Sequence, residues 1–256
     1  MPTQREKADI FRGLHQQGDP LVLYNIWDPG SAKVVEKAGA KALATGSAPV
    51  AMSQNYPDGE KIPLDVALSN VSRIVQLTAL PVTLDFEGAY SADPDQMKAH
   101  TRKALDTGVV GFNIEDQVVG TDTLYDSSVQ AARIAAVKAA IEDSGVNAFI
   151  NARTDLFLKS DRADHDAAML EHAIARAEAY VNAGADGFFA PNLVDEGLIK
   201  TLCTAVSVPV NIIALPGCPA KDALATLGVS RISYGPMPYK TVMASLAEAA
   251  SNAFNE

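Results

Sequence analysis

The chain has little of several things that usually announce a function. It holds two cysteines, one tryptophan and four histidines in 256 residues. Cys203 and Cys218 lack the spacing of a metal-ligand pair. So few thiols exclude a disulfide framework and suit a reducing compartment, with free buried thiols the expected state. His15, His100, His165 and His172 all fall in segments of helical pattern, with no HxH or HExxH pair, which argues against zinc. Basic clusters are missing as well. Only 21 Lys and Arg stand against 31 Asp and Glu, a formal charge of −10, whereas a nucleic-acid surface needs a positive footprint. No apolar run exceeds strand length, so no membrane span is expected. The opening MPTQREKADIFRG lacks a signal-peptide core, so a cytoplasmic, soluble protein is the expectation.

What is present is a repeat. Short apolar runs alternate with longer Ala-rich stretches of helical pattern. The strand candidates are Leu21–Ile26, Ala42–Gly46, Val82–Phe86, Val110–Glu115, Ala148–Arg153, Gly187–Pro191, Val210–Ala214 and Arg231–Gly235. Gly39, Gly108, Gly145, Gly184 and Gly228 each close a helical stretch just before a strand, as left-handed C-caps do. Each unit averages about 32 residues, the size of a strand–helix crossover. Continuous apolar strands between helices indicate a parallel sheet covered on both faces, and eight units point to a (β/α)8 TIM barrel. A doubly wound open sheet is the alternative, but it usually has fewer strands and a phosphate-binding GxGxxG, which is lacking here. The expected organisation is one barrel domain over 1–256. Residues 1–20 form a capping helix with Ile10, Phe11 and Leu14 on one face, and 237–256 a C-terminal helix. That last helix serves either subunit contacts or ordinary packing on the barrel.

Barrel chemistry sits where strands end. Those positions carry Asn25, Trp27 and Asp28; Thr45-Gly46-Ser47-Ala48 with Tyr56 and Asp58 beyond; Asp85 and Glu87; Glu115 and Asp116; Asn151, Arg153 and Asp155; and Asn211. Asp85 and Glu87, two apart on an extended strand, point to the same side. With Glu115 on the next strand they would repel one another unless a cation intervened, and oxygen-only ligands select Mg²⁺ or Mn²⁺. The plain alternative is solvated loop acids. Arg153 ends an apolar strand and either pairs with Asp155 or Glu115 or grips a substrate anion. The Gly46-Ser47-Ala48 N–H groups suit an anionic oxygen. No lysine lies within a strand, which disfavours a Schiff-base aldolase, and no histidine follows one, which leaves a Ser-His-Asp triad unsupported.

The ordered motifs NIWDPGSAKVVEKAGAKALATGSAPVA, PVTLDFEGAYS, GFNIEDQ, INARTD, AGADGFFAP and PVNI resemble the isocitrate lyase / phosphoenolpyruvate mutase superfamily over Leu21 to Pro236. The resemblance implies a Mg²⁺-dependent barrel that breaks or forms a C–C or C–P bond next to a pyruvyl unit through an enolate. Its partner would be a small anionic 2-oxo acid or phosphonate. It implies metal-site acids at Asp85, Glu87 and Glu115, with Glu87 where Asp is usual. It also implies Asp58 near the metal's waters, a carboxylate-binding stretch at Gly46, Ser47 and Ala48, and Arg153 and Asn211 in the anion pocket. A homo-oligomer, tetramer or dimer, with exchanged C-terminal helices is implied too. The superfamily's K-[KR]-C-G-H loop is replaced by EDQVVGTDTLYDSS, so isocitrate and methylisocitrate lyase activities are not expected. The mutase's gating lysine and asparagine are also missing. What remains resembles the phosphonomutase-like branch, with decarboxylation the best-fitting reaction. Water, Tyr56, Asp58 or Tyr125 would protonate the enolate. A C–P hydrolase, a non-catalytic anion-binding barrel and another metal-dependent aldolase are the competing readings.

Overall fold

The computed structural model describes residues 2–255; Met1 and Glu256, the outermost residues of the two expected terminal segments, lie outside the described residues. The strands are β1 (Leu21–Leu23), β2 (Leu43–Ala44), β3 (Val82–Asp85), β4 (Gly111–Glu115), β5 (Phe149–Arg153), β6 (Gly187–Phe189), β7 (Val210–Ile213) and β8 (Arg231–Ser233). All pair in parallel, in the order β1-β8-β7-β6-β5-β4-β3-β2. A single bridge between Ile26 and Thr45 joins the two ends of that sheet. There Ile26 N–H donates to Ala44 and Gly46 N–H to Ile26. The result is a (β/α)8 TIM barrel.

The helices are α1 (Gln4–Gly13), α2 (Pro29–Lys37), α3 (Ser47–Ser53), α4 (Leu64–Leu77), α5 (Pro94–Asp106), α6 (Ser127–Ser144), α7 (Ala167–Asn182), α8 (Glu196–Ala205), α9 (Lys221–Thr226) and α10 (Met237–Asn255). Five of them start after side chains that satisfy first-turn N–H groups. Thr3 and Glu6 form a capping box on α1, and Asp28 caps α2 ahead of a first-position proline. Asp93, Asp166 and Asp195 cap α5, α7 and α8. At the other ends, all five predicted C-cap glycines have φ between +68° and +105°.

The strands are shorter than the apolar runs that mark them. Six of the runs continue past the ladder as the chain turns outward at the barrel mouth, whereas those of β4 and β5 end with their strands. The last ladder residues Asp85, Glu115 and Arg153 carry the site together with the turns beyond. The barrel interior is also unusual in holding a polar layer. Asn113 pairs in register with Asn151, and Asn211 with Arg231. Asn151 Nδ2 donates to Asn113 Oδ1 at 2.9 Å and to Asn211 Oδ1 at 3.0 Å. Gly187 makes room for it: a Cβ there would lie 2.8 Å from Phe149 and 3.0 Å from Asn151.

α1 closes the N-terminal mouth through Ala8 and Phe11, both fully buried. Phe11 meets Phe149 edge-on, and His15 stacks on Phe149 at 4.2 Å. The expected apolar face is corrected at Ile10, which is 47% exposed; the buried positions are Lys7, Ala8 and Phe11. Lys7 is tolerated because its Nζ donates to the Thr78 carbonyl. At the far end, α10 buries only Pro238 and Tyr239 among its described residues. Among the described residues no helix is long and apolar enough to cross a membrane.

Candidate active site

Asp85 closes β3, and its register partner Asn113 sits on β4. Its carboxylate is held on both oxygens, by Asn113 Nδ2 on Oδ1 at 3.1 Å and by Ser47 N–H on Oδ2 at 2.9 Å. Its own N–H donates to Thr45 Oγ1. The Thr45–Ala48 stretch is not a plain strand-end loop, because Gly46 is the N-cap of α3. This bears on the expected anion cradle. Gly46 N–H serves Ile26 and Ser47 N–H serves Asp85, so only the Ala48 amide lacks a protein partner among the described residues.

The alternation that placed Glu87 beside Asp85 breaks at the strand end. Glu87, Ala89 and Tyr90 have φ of +52°, +57° and +57°, conformations that cost on the order of 1–3 kcal/mol each. Arg133 on α6, fully buried, clamps this turn: Nη1 donates to Ser91 O at 2.8 Å and Nη2 to Gly88 O at 3.0 Å. Glu60 pulls from the other side, accepting Tyr90 N–H at 2.7 Å, while Glu60 N–H donates to Glu87 Oε2 at 2.8 Å. Glu87 is thereby buried. Burial, then Asp58 and Asp85, push its carboxyl from 4.5 to about 8.

Arg153 ends β5. Its Nη1 meets Glu115 Oε2 at 2.9 Å, and its Nε and Nη2 form a two-point contact with Asp155. Burial opposes the charge on Arg153, but Asp155 and Glu115 outweigh it and hold the guanidinium protonated. Glu115 is raised well above its ordinary value, by burial first, with Arg153 opposing. Asp116 supports this group from below. It accepts Asp155 N–H, Thr154 Oγ1, Tyr180 Oη and Arg176 Nη1 within 2.7–3.1 Å.

A cavity of about 280 Å³ opens above these residues. One sector of its wall carries Asn25, Ser47, Asp58, Asp85, Asn113 and Arg153. The opposite sector carries Phe189, Pro191, Ile213, Leu215 and Pro236 from the ends of β6 to β8, with Leu158 reaching over from the loop after β5. Asp58 is exposed as a residue, yet its carboxyl faces the cavity and is raised by burial, then by Asp85. Glu87 lines a small adjoining cavity with Asp85. Three expected residues are placed elsewhere. Tyr56 packs on Val50, Ala51 and Ile62; Tyr125 lies under the Arg133 guanidinium at 4.1 Å; Asn211 belongs to the polar layer below. Among the described residues no group of three or more His, Cys, Asp or Glu side chains is arranged to hold a metal ion.

Several members of this constellation escaped the sequence reading. Asn113 sits in the middle of the apolar run VGFNIE, and Arg231 opens RISYG; a polar residue inside a buried strand was the available signal. Arg231 is fully buried, donates from Nη2 to Asn113 Oδ1 at 3.0 Å, and has its pKa lowered by burial to about 9. Its Nε and Nη1 find no protein partner among the described residues. Arg133 and Glu60 act through loops far apart in sequence and left no local signal.

The chain matches the family model described as phosphoenolpyruvate phosphomutase over residues 11–254. It is 34% identical over 240 residues to an uncharacterized protein of Mycobacterium tuberculosis, covering 94% of this chain and 87% of that one. A 2-methylisocitrate lyase of Escherichia coli is 27% identical, covering 78% and 67%. A crystal structure of a Burkholderia cenocepacia protein assigned as a phosphonomutase superposes with a TM-score of 0.95 at 43% identity, covering 98% of this chain and 99% of that one. With its barrel closed around an acidic, arginine-bearing mouth, the chain belongs to the phosphoenolpyruvate phosphomutase family, within the superfamily of lyases and mutases that also holds isocitrate lyase.

Proposed function

We propose that the protein is a Mg²⁺-dependent lyase that breaks the bond at C3 of a 2-oxo acid, leaving a pyruvyl enolate. One observation carries the reading. Asp58, Asp85, Glu115 and Asp155 act on Arg153, Glu87 stands against Asp58 and Asp85, and burial leads in raising Asp58, Glu87 and Glu115. An anionic substrate enters such a site only if a further cation offsets the repulsion. The donors are all oxygen, which suits Mg²⁺ or Mn²⁺, and Mg²⁺ commonly takes one or two carboxylates and keeps several waters. Asp85 would hold the ion, with Glu87 and Glu115 as the further acids of its site. The ion, when bound, supplies Lewis-acid polarisation of the 2-oxo oxygen.

The chain's own residues do the rest. Ser47 and Asn113 fix Asp85 in one orientation. The Ala48 amide, at the start of α3, remains to meet the substrate carboxylate. A guanidinium has five N–H donors; Asp155 and Glu115 occupy three on Arg153, which leaves two for the departing carboxylate. Tyr56 and Tyr125 lie outside the cavity wall, so protonation of the enolate carbon falls to water or Asp58. Decarboxylation suits this arrangement because departing CO₂ needs no proton. The family description favours a second reading, chemistry at a C–P bond.

Pyruvate and phosphate release from oxaloacetate, phosphonopyruvate and substituted malates, with Mg²⁺ or EDTA, separates these. We expect metal-dependent pyruvate without phosphate, and a loss of at least ~100-fold in Asp85→Ala. Phosphate release would favour the second reading. If no substrate turned over with metal, the lyase reading would be wrong and a barrel that merely binds anions would remain.

The subunit arrangement follows from α10. Val242, Met243, Leu246 and Phe254 are exposed on it, and Phe254 is 87% exposed. Across β1, between α2 and α9, Val22, Tyr24, Val34 and Val35 line an apolar groove of about 430 Å³. We propose a homo-oligomer in which α10 of one protomer covers this groove on its partner.

A further inference from the structure

The cavity wall is divided by strand. The ends of β1 to β5 supply every charged lining residue, whereas β6, β7 and β8 supply Phe189, Pro191, Ile213, Leu215, Gly235 and Pro236. The single polar side chain they add among the described residues is Ser233, whose hydroxyl already accepts from Asn211 Nδ2. Among the described residues Arg153 is the only cation in the wall, and Asp155 and Glu115 already engage it. The apolar sector is roofed by Leu158, whose loop is tied down across it. Arg162 Nε donates to Asn192 Oδ1 and Nη1 to Pro216 O, both at 2.7 Å, and Asn192 Nδ2 donates to Phe157 O at 2.9 Å. These bonds join the loops after β5, β6 and β7. Arg162 is spent on that tie, and Lys159 turns away to Thr121 O. A charged substituent placed on this side would lose its water and gain no counterion.

From this we infer that the substrate carries an uncharged alkyl chain on C3 of its 2-oxo acid unit, seated against the β6–β8 wall under Leu158. The inference rests on the 2-oxo-acid reading and adds to it the class of substituent. Loss of the departing group beside Arg153 is unaffected by it.

The test is a calorimetric titration of the full-length protein in Mg²⁺ with pyruvate, 2-oxobutyrate, 2-oxopentanoate and 2-oxoglutarate. Each added methylene that reaches the wall should tighten binding about fourfold, so 2-oxopentanoate should bind more than ~10-fold tighter than pyruvate. 2-Oxoglutarate has the same chain with a terminal carboxylate, and should bind at least ~10-fold more weakly than 2-oxopentanoate. Leu158 is 42% exposed, so Leu158→Arg should fold. It should reverse the preference of that last pair. A flat series in the wild type, or tighter binding of 2-oxoglutarate, overturns the alkyl inference while pyruvate binding keeps the 2-oxo-acid reading. Failure of pyruvate itself to bind with Mg²⁺ overturns both.

Discussion

Glu87→Gln tests the electrostatics of the site without any substrate. Glu87 is 4% exposed, and burial followed by Asp58 and Asp85 places its carboxyl near 8 against an ordinary 4.5. An acid raised on folding contributes stability that is complete below its unfolded value and is lost as the pH climbs through its folded value. The metal-free protein should therefore weaken between pH 4.5 and 8. Each tenfold change in proton affinity is worth about 1.36 kcal/mol, which sets a ceiling of about 5 kcal/mol; with relaxation of the surroundings we expect about 2–4 kcal/mol. Glutamine keeps the shape and the oxygen that accepts Glu60 N–H, but it has no charge to desolvate. At roughly 2–4 °C per kcal/mol for a chain of this size, the wild type should lose about 4–16 °C of Tm relative to Glu87→Gln between pH 5 and 9. Differential scanning fluorimetry in EDTA reads this directly, and the subtraction removes the contributions of groups that do not sense Glu87. Mg²⁺ should restore more stability to the wild type than to the variant. A gap between the two proteins that does not change with pH would refute the reasoning.

Other perturbations reach the remaining parts of the site. Asn113→Ala frees Asp85 Oδ1 and should weaken Mn²⁺ binding ~10–100-fold with little change in helix content; unchanged affinity by titration would show that Ser47 alone suffices. Gly187→Ala drives a methyl group to 2.8 Å from Phe149 and should cost about 1–3 kcal/mol in urea unfolding. Leu246→Asp, at a position 59% exposed on α10, should shift the mass measured by light scattering toward the protomer while leaving far-UV dichroism unchanged. A mass that stays put would remove α10 from the interface.

Much of the barrel was legible because its signals are local. The left-handed glycines at 39, 108, 145, 184 and 228 ended helices as read, since only glycine enters that conformation without a Cβ clash. The spacing of apolar runs predicted eight parallel strands, although six of the ladders stop earlier than their runs do. Where the sequence reading failed, geometry beyond the strand had intervened. Glu87 leaves the period-two pattern because Arg133 and Glu60 hold its turn at positive φ. The N–H groups of Gly46 and Ser47 are engaged by Ile26 and Asp85 because α3 begins there, which the strand-end pattern did not reveal. Tyr56 and Tyr125, each one loop away from strand ends, were placed by their neighbours rather than by their position in the chain.

The sequence by itself determined the fold class and the acidic, arginine-bearing character of the barrel mouth. Apolar periodicity, capping residues and glycine C-caps act over a few residues and need no partner to be read. Only the tertiary structure decided which acids share a cavity, which amides are already spent, and that one wall of the mouth is polar while the other is not. Those properties depend on side chains contributed by strands dozens of residues apart. Their desolvation and mutual repulsion exist only once the barrel has brought them together.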